Sequence, residues 1–403
     1  MIGIGLLGLG TVGQGVVEIL EERRDALKSL LKEDVSIKKI LVRDIHKKRN
    51  IKVSEGILTD DFQDILDEEV DIVIEVTSDL EQSYRYIVEA MNKGKHIVTA
   101  NKAIVSKYFE ELNELSIKNG VGFLYEASVG GGIPVLKPLK EQIVLNDIDE
   151  VQGILNGTCN YILTNMFERD LDYDEVLRTA QELGYAEADP SADVQGHDTL
   201  RKLRILATLG LQGKITEEDI LLEGIDNINA FDIAQIKRLD STIKLIGEAK
   251  RRGDGFTAVV QPMIIKNDSY FASVNGAFNS VAFKGNNVGE LKFYGSGAGK
   301  LPTANAILSD VIDIIMDSHR ENSLGDDVLS NENHMIHGQY YLRISPVAGE
   351  GVPNILSEIS EEILAQGEYI SIKTKATGLY KIYDVLRELG LSKDEYFLAR
   401  FFD

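Results

Sequence analysis

A short apolar run, Ile2–Leu7, breaks off at Gly8-Leu9-Gly10-Thr11-Val12-Gly13. Behind it Val16, Val17, Ile19, Leu20, Leu27, Leu30 and Leu31 recur at helical spacing, with Glu21, Glu22, Arg23 and Arg24 between them. β-type runs follow at 37–42, 71–76 and 121–125, and another ends at Thr99. Helical patterns fill the gaps at 84–93 and 107–119. Strands alternating with helices predict a parallel sheet covered on both faces, a Rossmann-type first domain over 1–130.

The pattern changes after Gly130-Gly131-Gly132. Helices are expected at 134–145, 160–169, 174–183 and 198–212, and one long helix from Phe231 to Arg252. Strand-like runs at 257–265, 281–283 and 291–294 have no helical crossovers between them, so their pairing is expected to be antiparallel or mixed. This stretch, 131–302, reads as a separate α+β domain with a mixed sheet. A helix at 303–319 is expected to pack back on the first domain. Residues 320–336 are polar without apolar period and read as a linker. A small α+β unit at 337–403 closes the chain: strand 340–347, helix 355–365, strand 369–374, helix 382–389, strand 396–401.

Composition narrows the class. The chain has 403 residues, 43% hydrophobic and 27% charged, as in ordinary globular proteins. A net charge of −22 repels a phosphate backbone and argues against nucleic-acid binding. No apolar run approaches the ~18 residues that cross a bilayer. A single cysteine leaves no internal disulfide and no multi-cysteine metal site, which fits a reducing cytoplasmic setting.

Gly8-x-Gly10-x-x-Gly13 lies between a strand and a helix, the context a dinucleotide fingerprint needs. The first glycine permits the turn, the second admits the pyrophosphate, and the third lets helix and strand approach. The second strand ends at Val42-Arg43-Asp44, with Lys47, Lys48 and Arg49 beyond. A carboxylate there suits the 2′-hydroxyl of NAD and an arginine the 2′-phosphate of NADP, so Arg43 with its basic neighbours favours NADP while NAD stays open. Thr77 and Lys102 follow strand ends, where open α/β sheets bind ligands. In Gly184 to Asp193, Glu187, Asp189 and Asp193 cluster around Pro190, and Asp198 and Lys202 fall at i and i+4 of a helix starting near His197. Such a pair can share a ligand and move a proton, or be a surface ion pair at a helix start. Cys159 suits a thiolate nucleophile or, more simply, a small buried apolar residue.

Taken together, GLGTVG at 8–13, VRD at 42–44, TANKA at 99–103, YEASVGGGIP at 125–134, LNGTCNYIL at 155–163, GYAEADPSADVQGHDTLRKLRILA at 184–207 and GSGAGKLPTANAILSD at 295–310 resemble homoserine dehydrogenases over nearly the whole chain. The resemblance implies NAD(P)-dependent interconversion of L-aspartate 4-semialdehyde and L-homoserine, on the route to threonine and methionine. It implies that Gly10, Thr11, Val12, Gly13, Arg43, Thr77, Lys102, Gly184 and Gly297, beside Gly8, line the cofactor. Glu187, Asp193 and Asp198 would hold homoserine, Lys202 would be the acid–base residue, and Lys102 would lie close to the reacting centre. Glu126, with the carbonyls of Val129, Gly131 and Ile133, matches the family's sodium site. The C-terminal unit is similar to an ACT-type regulatory module, with threonine as effector and a βαββαβ order whose third strand is expected to be shortened or lost. The same resemblance implies that 131–302 binds substrate and dimerises, giving a homodimer or homotetramer.

Two other readings make different demands. A cysteine-dependent semialdehyde dehydrogenase needs a base beside Cys159. A non-catalytic sensor of dinucleotide and amino acid needs no complete catalytic set, yet Lys102, Glu187, Asp198 and Lys202 are all present.

Overall fold

The computed structural model describes residues 1–49, 51–54, 56–67, 69–320, 328–345 and 353–402. They form two compact units, Met1–Asn146 with Gly295–Gly325, and Asp147–Tyr294 with Asp326–Asp403. Residues 131–146, expected to open the second domain, thus cluster with the first unit.

The first unit runs β1 (Ile2–Leu7), α1 (Thr11–Glu22), α2 (Arg24–Leu31), β2 (Val35–Leu41), β3 (Leu58–Thr59), β4 (Ile72–Glu75), α3 (Leu80–Asn92), β5 (His96–Thr99), α4 (Lys102–Lys107), α5 (Phe109–Asn119), β6 (Phe123–Leu124) and α6 (Leu136–Gln142). Its six strands are parallel in the order β3-β2-β1-β4-β5-β6, the order reversing beside β1. The β-branched run Ile72, Val73, Ile74 is buried because helices cover both faces, each such side chain contributing roughly 1.5–3 kcal/mol. The helix Lys300–Ile315 packs on α1, joining Val16, Val17 and Leu20 to Ala304, Ile307 and Val311 in one core.

The second unit holds β7 (Ile148–Ile154), α7 (Gly157–Arg169), α8 (Tyr173–Glu182), α9 (Ser191–Val194), α10 (His197–Gly210), β8 (Leu221–Leu222), α11 (Ala230–Arg238), β9 (Ser241–Arg252), β10 (Gly255–Lys266), β11 (Phe278–Gly285) and β12 (Gly289–Ser296). After the Lys300–Ile315 helix, which is α12, come β13 (Ser330–Asn331), β14 (His337–Gly338), β15 (Tyr340–Ile344), α13 (Asn354–Ile359), β16 (Ser360–Gln366), β17 (Ile370–Thr374), β18 (Thr377–Gly378), α14 (Leu379–Glu388) and β19 (Tyr396–Phe401). One mixed sheet runs β12-β11-β7-β9-β10-β19-β15-β17-β16, with β8 and β13 also on β10.

Three expectations are corrected. The long helix from Phe231 ends at Arg238, Asp240 takes φ 49°, and 241–252 is a strand in register with β10 along its whole length. Residues 241–249 are buried on both faces, so their apolar positions carry no period of 2 to set against a helical one. The helix expected over 355–365 stops at Ile359, and 360–366 is the edge strand β16 paired with β17. Its sequence, SEEILAQ, is rich in helix formers, and pairing with β17 overrides that preference. Around the main sheet the C-terminal order is therefore β15-α13-β16-β17-α14-β19, with the third strand, expected to be shortened or lost, present as β17 and the two-residue β18 pairing with β14 instead. The expected linker is only partly described, since 321–327 lie outside the described residues. Its later part is tied down: Ser330–Asn331 pairs with β10, and the buried Asn333 side chain accepts the Ala258 amide at 2.7 Å. Residues 346 and 347 of the expected strand 340–347 also lie outside the described residues.

Candidate active site

In the first unit, β1 delivers the chain to Gly8, whose φ of +100° makes the turn. A Cβ on Gly13 would lie 2.2 Å from the Gly8 carbonyl oxygen, so only glycine lets α1 start this close to the strand. A cleft of about 780 Å³ opens there, lined by Gly8, Gly10, Thr11, Arg43 and Thr77 from the expected set, and by Gln14, Lys47, Lys48, Asp79, Gln82 and Tyr86 besides. Lys47 and Lys48 are the basic neighbours expected beside Arg43, whereas Gln14, Asp79, Gln82 and Tyr86 carried no sequence signal, because polar side chains on helix faces and loops look like ordinary surface. Val12 and Gly13 are not in the lining, and the Val12 side chain packs on the core. Arg43 reaches Asp79 at 3.8 Å with 81% of its side chain exposed. Asp44 accepts the His46 amide at 2.8 Å and Arg49 donates to the Asp44 and Lys47 carbonyls at 2.7 and 2.9 Å. The loop after β2 is thereby held as a turn that presents Arg43, Lys47 and Lys48 to the cleft.

Lys102 is the first residue of α4, behind Asn101, whose side chain caps the helix by accepting the Ile104 amide at 3.3 Å and donates to the Thr77 carbonyl at 3.4 Å. It does not line the cleft.

Farther along the same unit, Glu126 is buried and its carboxylate accepts the amides of Val135, Leu136 and Lys137 at 2.5, 2.8 and 2.7 Å, which caps α6. Burial raises its pKa, and the three amides draw it back. A carboxylate has about four acceptor positions, so one remains. Among the described residues no hydrogen bond reaches the carbonyl oxygens of Val129, Gly131 and Ile133. A Cβ on Gly131 would meet the Gly297 carbonyl oxygen at 2.3 Å, so Gly297 packs against this loop and not into the cleft. A short loop with three unengaged carbonyls and one carboxylate position fits a hard cation.

In the second unit, α10 brings Asp198 and Lys202 together. Lys202 Nζ lies 2.7 Å from Asp198 Oδ2 and donates to the Leu155 carbonyl at 2.8 Å, with 10% and 4% of the two side chains exposed. A surface ion pair is thus excluded. Asn156 donates to Asp193 at 2.7 Å and to Asp198 at 2.8 Å, while its own oxygen caps α7 on the Cys159 amide. Asn156 had no role assigned from the sequence, because the helix was expected to begin at 160 and it begins at Gly157, which makes Asn156 its cap. Glu187 is exposed on the turn after α8, and Gly184, at φ +78°, ends that helix. Cys159 is fully buried and its thiol donates to the Asp193 carbonyl at 3.1 Å. Burial, with Asp193 and Asp198 adding to it, pushes the thiol well above its usual range, so it stays protonated and is no nucleophile.

Two family models match the chain: one described as homoserine dehydrogenase over residues 134–312, and one described as homoserine dehydrogenase, NAD binding domain, over residues 8–126. A curated homoserine dehydrogenase from Synechocystis sp. is 45% identical over 351 residues, which is 85% of this chain and 79% of that protein. The Bacillus subtilis homoserine dehydrogenase is 42% identical over 85% of this chain and 81% of its own length. Among solved structures, a homoserine dehydrogenase from Thiobacillus denitrificans superposes with a TM-score of 0.88 at 32% identity, covering 100% of this chain and 98% of that one.

Proposed function

The chain belongs to the homoserine dehydrogenase family and is an oxidoreductase with a nicotinamide dinucleotide cofactor, and from that premise we propose that it reduces L-aspartate 4-semialdehyde to L-homoserine with Lys202 as the proton-moving residue. The observation that carries this is the buried Lys202–Asp198 pair bonded to the Leu155 carbonyl. When bound, the nicotinamide supplies the hydride. An ammonium has three N–H groups; Asp198 and Leu155 occupy two, leaving one for a substrate oxygen. In reduction that proton passes to the oxygen of the former aldehyde, and in oxidation it returns to the lysine. Asp193 and Asp198, fixed by Asn156, with Glu187 supply carboxylates for the homoserine ammonium. Lys102 serves the same reaction. Gly10 and Thr11 contribute backbone to the cofactor beside Gly8, Arg43 and Thr77, and Gly13 acts by letting α1 start close to the strand.

The cofactor is NADP before NAD, because the loop after β2 turns three cations, Arg43, Lys47 and Lys48, into the cleft, against Asp44, which also lines it and has one carboxylate oxygen engaged by the His46 amide. A sodium ion held by Glu126 and the carbonyls of Val129, Gly131 and Ile133 completes the site. The βαββαβ order after Tyr340 supports an ACT-like regulatory module with threonine as effector. The sheet edges β12 and β16 favour a homodimer or homotetramer. No helix among the described residues is long and apolar enough to cross a membrane, and a cytoplasmic location is part of the proposal.

Turnover of aspartate 4-semialdehyde is followed by loss of reduced-nicotinamide absorbance, with NADPH and NADH in parallel and with threonine added. Folded protein without turnover on either cofactor sinks the proposal.

A further inference from the structure

Glu75 ends β4, inside the first unit, with a relative exposure of 0%. Among the described residues its hydrogen-bond partners are neutral donors. Oε1 accepts the Thr77 amide at 2.7 Å and the Thr77 hydroxyl at 2.7 Å, while Oε2 accepts the Thr99 hydroxyl at 2.7 Å. Thr77 Oγ also makes a short hydrogen bond with Ser83 Oγ, and Ser83 is itself a hydrogen-bond partner of the Glu75 carboxyl. Thr99 Oγ accepts the Asn101 amide at 3.0 Å. The Thr77 and Thr99 hydroxyls thus both point at Glu75, one on each carboxyl oxygen. Burying an uncompensated carboxylate is costly, and desolvation raises this one's pKa despite its donors. Three side-chain or backbone links from a single carboxylate join the loop carrying Thr77 to the turn carrying Asn101 and Lys102.

We propose that Glu75 is a positioning residue that sets the Asn101–Lys102 turn for the reaction. The inference rests on the reading that Lys102 takes part in that reaction. Glutamine has the same shape but one acceptor oxygen and one NH₂. Its oxygen must face Thr77, where two donors meet. The NH₂ then faces Thr99, whose hydroxyl must turn away and becomes a buried donor without an acceptor. The Lys102 side of the network is disturbed and the Thr77 side is spared.

The test is Glu75→Gln, checked for fold by circular dichroism. NADPH affinity is measured by fluorescence without substrate, and kcat separately. The expected result is a kcat lower by about 10²-fold, the scale of a catalytic group displaced by roughly 1 Å, with NADPH affinity within about threefold of wild type. Deuterium exchange in the cofactor-free protein should quicken at the Asn101 amide and not at the Thr77 amide. Thr99→Val removes the same link and should show the same split, which keeps the proposal testable should Glu75→Gln not fold. A wild-type kcat in either variant overturns the proposal, and so does a loss confined to NADPH binding. Lys102→Ala separates the two failures. If it leaves kcat unchanged, the reading of Lys102 is wrong; if it is inactive while both other variants are normal, only the role of Glu75 falls.

Discussion

Arg43 and Lys202 are both cations beside a carboxylate, in opposite surroundings. Arg43 is 81% exposed and 3.8 Å from Asp79, whereas Lys202 is 10% exposed and 2.7 Å from Asp198. Water screens the first pair, so it costs little to form and little to break when a ligand phosphate arrives. The second pair is desolvated, is held by a carbonyl and an asparagine as well, and loses a partner only at high cost. The exposed cation is suited to choosing between cofactors, and the buried one to holding a proton at a fixed place.

The largest effect expected from breaking this contrast is at Lys202. Lys202→Ala should lower kcat by roughly 10²- to 10⁴-fold, measured in folded protein at saturating NADPH; a kcat near wild type removes Lys202 from the chemistry. A second buried lysine sharpens the point. Lys244 donates to three neutral oxygens, of Asn160, Val274 and Asn275, and desolvation lowers its pKa from 10.5 to about 8. Between those values the unfolded chain binds a proton that the folded chain lacks, so the part of stability due to this group rises with pH across the window. Urea unfolding of wild type against Lys244→Met should show wild type gaining on the variant from pH 8 to 10, by up to about 3 kcal/mol. A constant difference would mean that Lys244 does not titrate there.

At the exposed end, Arg43→Ala should raise the Michaelis constant for NADPH about 10-fold, the scale of one charge-assisted contact, and leave that for NADH nearly unchanged. Added salt should weaken NADPH binding in wild type more than in the variant. Equal losses with both cofactors would refute 2′-phosphate recognition. The smallest effect belongs to Cys159→Ser, which should keep activity within a few-fold, because the buried thiol only donates to a carbonyl. Loss of all turnover would revive a cysteine-dependent reaction.

Where local signals agreed with tertiary context, the sequence was readable. The glycine fingerprint needs only a strand, a turn and a helix in succession, and Gly8 and Gly13 sit as that arrangement requires. Asp198 and Lys202 depend only on helical spacing to meet. Residues 241–252 and 360–366 misled, because a strand buried on both faces and an edge strand rich in helix formers show no alternation.

What the sequence determined by itself is what lies within a few residues of its cause: the parallel α/β start, the dinucleotide turn, the spacing of the charged pair, and a family pattern specific enough to imply the reaction. Only the tertiary structure decided what depends on residues far apart in the chain. It buried Lys202 against Leu155, 47 positions away, bonded Asn156 to Asp198, 42 positions away, and joined Glu75 to Thr99 across two strands. Desolvation and the pairing of distant backbone are properties of the assembled core, and no local pattern encodes them.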